Sequence, residues 1–259
     1  MRDSANSPLS VTLVQAAAGL VPEANRDRLK ELVAGRSGLV VLPEAYARDF
    51  GRAGTQVGPF AEPLDGPFVE ELTKVAGDAT VVAGMFEVSG DPERPFNTLV
   101  VVDRAGLRAS YRKIHLYDAF GYRESDRLSA GVTSPVSVEV GGITVGLMTC
   151  YDLRFPELGR ALVDRGSELI VVSAAWLDGP HKIRHWWALL AARAIENTVY
   201  VAAAAQPAPR YGGYSALLDP YGQTLASAGP GEGQVIGEVD QRVIALARSE
   251  NPSLNNRRM

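Results

Sequence analysis

Apolar residues recur along this chain in two rhythms. Short runs rich in β-branched residues, such as Val11 to Ala16, Gly38 to Leu42, Ala79 to Val88, Ile143 to Thr149, Glu168 to Ala174 and Val199 to Ala205, predict buried strands. Between them the spacing turns helical. In Asn25 to Ala34, Leu29, Leu32 and Val33 share one face among Arg26, Asp27, Arg28, Lys30 and Glu31. Pro67 to Ala76 turns Phe68, Leu72 and Val75 inward, and Pro156 to Arg165 and His185 to Asn197 are further helices. Two hairpins follow, Asn97 to Arg112 turning at Asp103-Arg104-Ala105-Gly106, and Ser215 to Ala226 turning at Asp219-Pro220-Tyr221-Gly222. The weakly periodic, charged stretch 113–135 predicts a long functional loop. The cluster Gly229-Pro230-Gly231-Glu232-Gly233 predicts a hairpin loop between strands.

The hairpins resemble each other, and each follows a helix–strand unit. That predicts two similar halves, each a half-sheet with helices outside, packed as an α/β sandwich. No linker rich in Pro, Gly or Ser divides the chain, so residues 1–259 are expected to form a single domain. Its core is expected over about 9–244, with a C-terminal tail over 245–259. With 259 residues, 46% hydrophobic and 22% charged, the chain can bury a sizeable core.

The net charge of -4 gives no support for a nucleic-acid groove. Leu9 to Ala18 could pass for a signal-peptide core, but Gln15 interrupts it, and Arg2 and Asp3 nearly cancel before it. A frayed start and a first buried strand are the expectation there. No run reaches the ~18 apolar residues of a membrane span. A single cysteine, Cys150, allows no intrachain disulfide and favours a cytoplasmic setting.

Three residues carry candidate chemistry. Cys150 ends an apolar strand and precedes a helix, where a thiol gains nucleophilic character; a buried core cysteine would look the same. Glu44 follows Leu39-Val40-Val41-Leu42-Pro43, also at a strand's carboxyl end, and is either a loop charge or an acid aimed into a site. Lys113 ends the first hairpin beside Arg112; a solvated charge pair is the favoured reading of these adjacent cations, and the other is that one of them points inward. Together they meet one chemical need. A thiol attacking an amide carbonyl requires a base, a positive group for the oxyanion and an acid for the departing nitrogen.

These segments resemble the nitrilase superfamily of carbon–nitrogen hydrolases. The similarity lies in Val41-Leu42-Pro43-Glu44, in Arg112 to Asp118 (Arg-Lys-Ile-His-Leu-Tyr-Asp), and above all in Cys150 to Leu158 (Cys-Tyr-Asp-Leu-Arg-Phe-Pro-Glu-Leu). Ala192 to Asn197 and the Asp219-Pro220-x-Gly222 turn add to it. The resemblance implies a four-layer αββα sandwich that associates as a homodimer or larger. It implies Glu44 as general base and acid, Cys150 as the nucleophile forming a thioester, and Lys113 with the Tyr151 backbone N–H at the oxyanion. Glu124 matches a second glutamate of the family, one that would keep Lys113 charged and oriented. No metal or organic cofactor is expected, and the substrate would be a small amide. The Lys113 and Cys150 runs look most like the Nit-type branch of omega-amidases and deaminated-glutathione amidases. The loop between Lys113 and Glu124 is shorter than in that branch, and Gly213-Tyr214-Ser215 stands where the branch often has Gly-His-Ser.

Further side chains can be weighed. Trp176 either lines the pocket or fills the core. Arg123 or Arg154 could hold a substrate carboxylate by a bidentate contact, with a structural ion pair the favoured reading of Arg154. His181 and His185 stand at i, i+4, but Lys182 replaces the glutamate of a zinc-protease motif, so no metal site is expected. Trp186 and Trp187 are expected in packing or a dimer interface, and Arg193 with Glu196 as an ion pair. The tail with Pro252 and Arg257-Arg258 is expected to cross to a partner subunit. The reading is a cysteine amidase; nitrile or N-carbamoyl hydrolysis with the same residues, and a binding or thiol redox-sensing role, are the alternatives.

Overall fold

The computed structural model describes residues 7–258; the expected frayed start and the Arg2–Asp3 pair lie outside the described residues. In chain order the elements are β1 (Leu9–Gln15), α1 (Pro22–Val33), β2 (Ser37–Val41), α2 (Pro67–Ala76), β3 (Asp78–Glu87), β4 (Phe96–Asp103) and β5 (Gly106–Arg112). Then come β6 (Asp118–Ala119), β7 (Tyr122–Arg123), β8 (Ser137–Val140), β9 (Ile143–Thr149), α3 (Pro156–Asp164) and β10 (Leu169–Ala174). Last are α4 (Lys182–Asn197), β11 (Tyr200–Ala205), β12 (Ala216–Leu218), β13 (Thr224–Ser227), β14 (Gly233–Val239) and α5 (Gln241–Glu250).

Two six-stranded sheets result, in the orders β14-β1-β2-β3-β4-β5 and β8-β9-β10-β11-β12-β13. Their plans are the same. Each has an antiparallel edge strand, three parallel strands joined through helices, and an antiparallel hairpin at the far edge.

Alternation along the strands builds the layers. Val11, Leu13, Leu39, Val41, Val82, Leu99 and Val101 face the second sheet, joining Val145, Leu147 and Val171 in one core. Their neighbours Val14, Val40, Leu42, Val81, Ala83, Val100 and Val102 face the other way, against Leu29 and Leu32 of α1 and Phe68 and Leu72 of α2. The second sheet covers its outer face with α3 and α4 through Leu158, Leu162, Leu190 and Ala194. Strands buried on both faces read as continuous apolar runs, which is why the parallel strands were visible in the sequence. No described helix is long and apolar enough to cross a membrane.

Four expectations are corrected. The 229–233 cluster is not a hairpin loop: it carries the chain from β13 in one sheet to β14, which pairs with β1 in the other. The tail does not begin at 245, because Asp240 caps a helix through Glu250 by accepting the Arg242 N–H, with Ile244 and Ala247 buried at i, i+3. Beyond it, Arg257 folds back onto Asp164 of α3 at 2.6 Å. The 113–135 stretch is not plain loop but holds the small β6–β7 hairpin, a 3-10 turn at Glu124–Asp126 and β4-flanking contacts before β8. Helices α1 and α4 also begin a turn early, α1 because Pro22 sits at its first position.

Candidate active site

Glu44 leaves the carboxyl end of β2 and crosses closely over Gly84 of β3. A Cβ at Gly84 would stand 2.3 Å from Ala45 N, so only glycine admits the chain there. The Glu44 carboxylate is 1% exposed and fully engaged. Oε1 accepts from Asn97 Nδ2 at 2.7 Å and from Lys113 Nζ at 2.9 Å, and Oε2 accepts the Ala175 N–H at 2.6 Å. Gln206 Nε2 donates to its backbone carbonyl at 3.0 Å. The acid therefore hangs from both sheets, through Asn97 of β4 and Ala175 just past β10.

Lys113 lies one residue beyond β5, its N–H donating to Asn97 O at 2.8 Å. Its ammonium is 2% exposed and also donates to Glu124 Oε2 at 2.9 Å. Glu124 Oε2 in turn accepts the Tyr117 N–H at 2.6 Å. Burial alone would lower the Lys113 ammonium, but the Glu124 and Glu44 carboxylates outweigh it and hold it well above its ordinary range, so it stays charged. Burial raises Glu124, opposed by Lys113 and reinforced by the Glu44 charge.

Cys150 follows β9 with φ 46°, a left-handed conformation rare for a side chain other than glycine. It opens a 3-10 turn, Cys150–Arg154, that swings the thiol out of the strand line. Asp152, fully buried, holds this turn: Oδ2 accepts the Thr149 N–H at 2.9 Å and the Tyr111 hydroxyl at 2.7 Å. The thiol and the Glu44 carboxylate line the same pocket, close enough for the Glu44 charge to act on the thiol. Burial pushes it well above the usual thiol range, the Glu44 and Glu124 charges add to this, and Lys113 opposes it. Cys150 thus rests as a thiol beside a carboxylate able to take its proton.

These four groups open into one pocket of about 170 Å³. Its walls are aromatic, from Phe50, Tyr117, Tyr122, Tyr151, Trp176 and Tyr211. Three cations, Arg154, Lys182 and Arg210, also line it. Tyr151 and Trp176 are therefore pocket residues as well as packing ones; the Trp176 indole donates to Lys182 O at 3.0 Å. Trp186 is buried, donating to Tyr214 O at 2.9 Å, and Arg193 pairs with Glu196.

Two arginine expectations change. Arg123 does not line the pocket. Tyr122 turns inward from β7, so strand alternation sends Arg123 outward, 70% exposed and 3.5 Å from Asp126. Arg154 does line it, and the structural ion pair is not formed: among the described residues no carboxylate pairs with it. Its guanidinium lies over Trp176 at 4.9 Å, its Nη2 is 3.4 Å from His185 Nδ1, and its Nε is buried without a partner. Lys182 and Arg210 escaped the sequence reading. Lys182 stands between His181 and His185, and no local pattern marks it as a pocket residue. Its Nζ donates to the Tyr117 hydroxyl at 2.7 Å and lies 3.9 Å over the Phe120 ring. Burial, then the Arg154 charge, lower it.

The sequence matches the carbon-nitrogen hydrolase family over residues 10–249. The chain belongs to that family. This carbon-nitrogen hydrolase is 41% identical over 222 residues to the deaminated glutathione amidase of Escherichia coli O157:H7, covering 85% of this chain and 84% of that one. Among solved structures it is similar to XC1258 from Xanthomonas campestris, a CN-hydrolase superfamily protein with an arsenic adduct in the active site, with a TM-score of 0.86, 30% identity and 98% of each chain covered. It is also similar to a variant of the amidase from Nesterenkonia sp. AN1 that shows covalent addition of the acetamide moiety of fluoroacetamide at the active-site cysteine, with a TM-score of 0.77, 25% identity and 98% of each chain covered. The hydrolase has the αββα sandwich of the nitrilase superfamily, and its relatives make it an amidase of that superfamily.

Proposed function

We propose that this hydrolase cleaves the amide of a small carboxylic acid through a thioester on Cys150. The supporting observation is the convergence of a neutral thiol, the Glu44 carboxylate and a charged Lys113 in one pocket. As Sγ attacks the amide carbon, Glu44 takes the thiol proton. The oxyanion meets Lys113 Nζ and the Tyr151 N–H. Collapse breaks the C–N bond, and Glu44 returns the proton to the departing amine. A water then gives a proton to Glu44 and its hydroxide to the thioester carbon; the acid leaves and the thiol re-forms. Glu124 keeps the ammonium in place, and the Asn97 and Ala175 N–H groups hold the Glu44 carboxylate in one orientation.

Arg154 and Lys182 favour an acyl part that carries its own carboxylate, since both cations face the pocket with no carboxylate partner among the described residues. Deaminated glutathione, the amide in the Escherichia coli relative's name, is the first candidate on this reading. The same proposal includes a homodimer or larger assembly of one-domain chains, with the segment after α5 near the interface.

The test is release of amine and acid from deaminated glutathione, ω-amides of keto and dicarboxylic acids, ureido acids and nitriles, with Cys150→Ala as control. Turnover of carboxylate-bearing amides, absent in the control, is the expected result, with an acyl adduct on Cys150 caught by mass spectrometry. Turnover confined to nitriles or ureido acids would overturn it.

A further inference from the structure

The chain between β2 and α2 supplies part of the pocket wall, through Phe50 and Ala53. Guanidiniums from three places hold the carbonyls of this segment. Arg48 Nη1 donates to Asp49 O at 2.7 Å, Arg210 Nη2 donates to Gly51 O, and Arg127 Nη1 donates to Thr55 O at 2.6 Å. Arg48 and Arg127 are only 4% and 5% exposed, and neither is among the residues lining the pocket. The Arg48 guanidinium lies against the Phe60 ring at 4.2 Å, and that of Arg127 against the Tyr122 ring at 5.3 Å.

Among the described residues no carboxylate pairs with Arg48 or Arg127, and Arg48 Nε is buried without a partner. Asp49 is already engaged: Oδ1 accepts from Arg210 Nη1 at 2.5 Å and from the Gly51 N–H at 2.8 Å, and Oδ2 accepts the Tyr211 hydroxyl at 2.6 Å. Burial is the largest cause that lowers both arginines. Asp49 favours the charged form of Arg48, the Arg210 charge opposes both, and Arg48 opposes Arg127. Three guanidiniums therefore act on one another around a single carboxylate, an excess of two positive charges. Backbone carbonyls satisfy their N–H groups without neutralising them, and buried charge is retained where a counter-charge accompanies it.

We propose that a small monovalent inorganic anion of the halide class binds between Arg48 and Arg127, outside the substrate pocket, and fixes the segment that carries Phe50 and Ala53. The orphaned Arg48 Nε is the donor it would engage. The burial of both arginines selects the ion's charge and size. An anion entering there gives up its water, and that loss rises steeply with charge, so chloride is favoured over phosphate or sulfate. This inference does not depend on the reaction proposed above.

The test follows thermal unfolding while sodium chloride replaces sodium gluconate at constant ionic strength. In the wild type, Tm should rise by about 3–6 °C and then saturate, as mass action requires of one site that only the folded chain offers. Arg48→Met should unfold at a Tm independent of chloride, and Arg48→Lys should keep part of the rise. No rise in the wild type, or an equal rise in Arg48→Met, overturns the proposal. A rise with sodium sulfate at the same ionic strength but none with chloride overturns the monovalent assignment. Should Arg48→Met fail to fold, wild-type crystals grown in sodium bromide locate the ion by its anomalous scattering. A bromide peak between Arg48 and Arg127, together with the saturable rise, establishes the site. Peaks confined to other places overturn it, and a peak there without the rise marks an adventitious ion only. Each of these results leaves the amidase reading untouched, because none of them measures turnover.

Discussion

Asp152 Oδ1 accepts the His115 N–H at 3.1 Å and lies 2.7 Å from His115 Nδ1, tying the segment after Lys113 to the turn of Cys150. The His115 ring stacks on Phe155 at 3.7 Å, closing the same joint from outside. Lys113 comes from one sheet and Cys150 from the other, so their separation is set by this cross-sheet tie rather than by either strand alone.

Asp152→Ala removes the acceptor for the Thr149 N–H, the Tyr111 hydroxyl and the His115 N–H together. Each donor left unpaired in the interior costs about 1–3 kcal/mol. We expect a loss of about 3–5 kcal/mol in urea unfolding. Asp152→Asn keeps one acceptor oxygen and should lose less stability, with activity falling further than stability explains. Equal stability of Asp152→Ala and the wild type would show that the tie does not hold the two segments.

Glu44, proposed above as the base, also raises the resting thiol through its charge. Burial is the largest cause that raises Cys150, and the Glu44 charge comes next. In the wild type, thiolate absorbance should therefore emerge only above the ordinary thiol range. Glu44→Gln removes one negative neighbour, which favours the charged form, so the absorbance should emerge at lower pH than in the wild type. Turnover should nevertheless fall by about 10²- to 10⁴-fold, because a more readily ionised thiol does not replace the lost base and acid. Thiolate emergence at a higher pH in the variant would contradict the charge argument.

Glu44 and Cys150 were legible because both stand at the carboxyl ends of strands whose apolar runs mark them plainly. Lys113 was legible as one of a pair, and the strand alternation that buries it leaves Arg112 on the other face, bonded to Glu87. The cations of the pocket were harder. Arg123 sits in the two-residue strand β7 and Arg154 in a 3-10 turn, where direction comes from tertiary contacts: the pairing of β6 with β7 turns Arg123 away, and Trp176 draws Arg154 in. Arg210 depends on Asp49, 161 residues earlier, and nothing local announces that pair. Among the elements, β8 is missed because an edge strand carries a mixed polar pattern, β14 is foreseen only as a strand after the 229–233 cluster with no bounds or partner, and α5 is missed because Ile244 and Ala247 alone mark its buried face.

Lys113→Met tests the buried charge balance. Glu44 and Glu124 lie 1% and 2% exposed and share one ammonium. With the cation gone, two carboxylates face each other in the interior with backbone and Asn97 donors only. Removing one partner of a buried pair costs about 3–5 kcal/mol. The loss should shrink as pH falls, because protonating a carboxylate relieves the repulsion in the folded state. Stability of Lys113→Met relative to the wild type, measured across acid to neutral pH, should converge toward the acid side. A pH-independent difference would mean that packing around the lysine stem, not charge, dominates.

Arg154→Met separates a substrate contact from a structural one by magnitude. A guanidinium in a buried ion pair would cost about 3–5 kcal/mol on removal. Here no carboxylate among the described residues pairs with it, and its main contact is the Trp176 face at 4.9 Å, worth about 0.5–1 kcal/mol. Methionine keeps much of the stem packing, so urea unfolding should shift by about 1 kcal/mol or less. Binding should behave differently. With a carboxylate-bearing amide such as a keto-acid ω-amide, KM should rise about 10- to 100-fold through loss of a charge-assisted contact, and kcat should change far less. With a neutral amide of similar length, the same variant should match the wild type in KM. A large stability loss with equal effects on both substrates would return Arg154 to a structural role and leave Lys182 as the acyl-side cation.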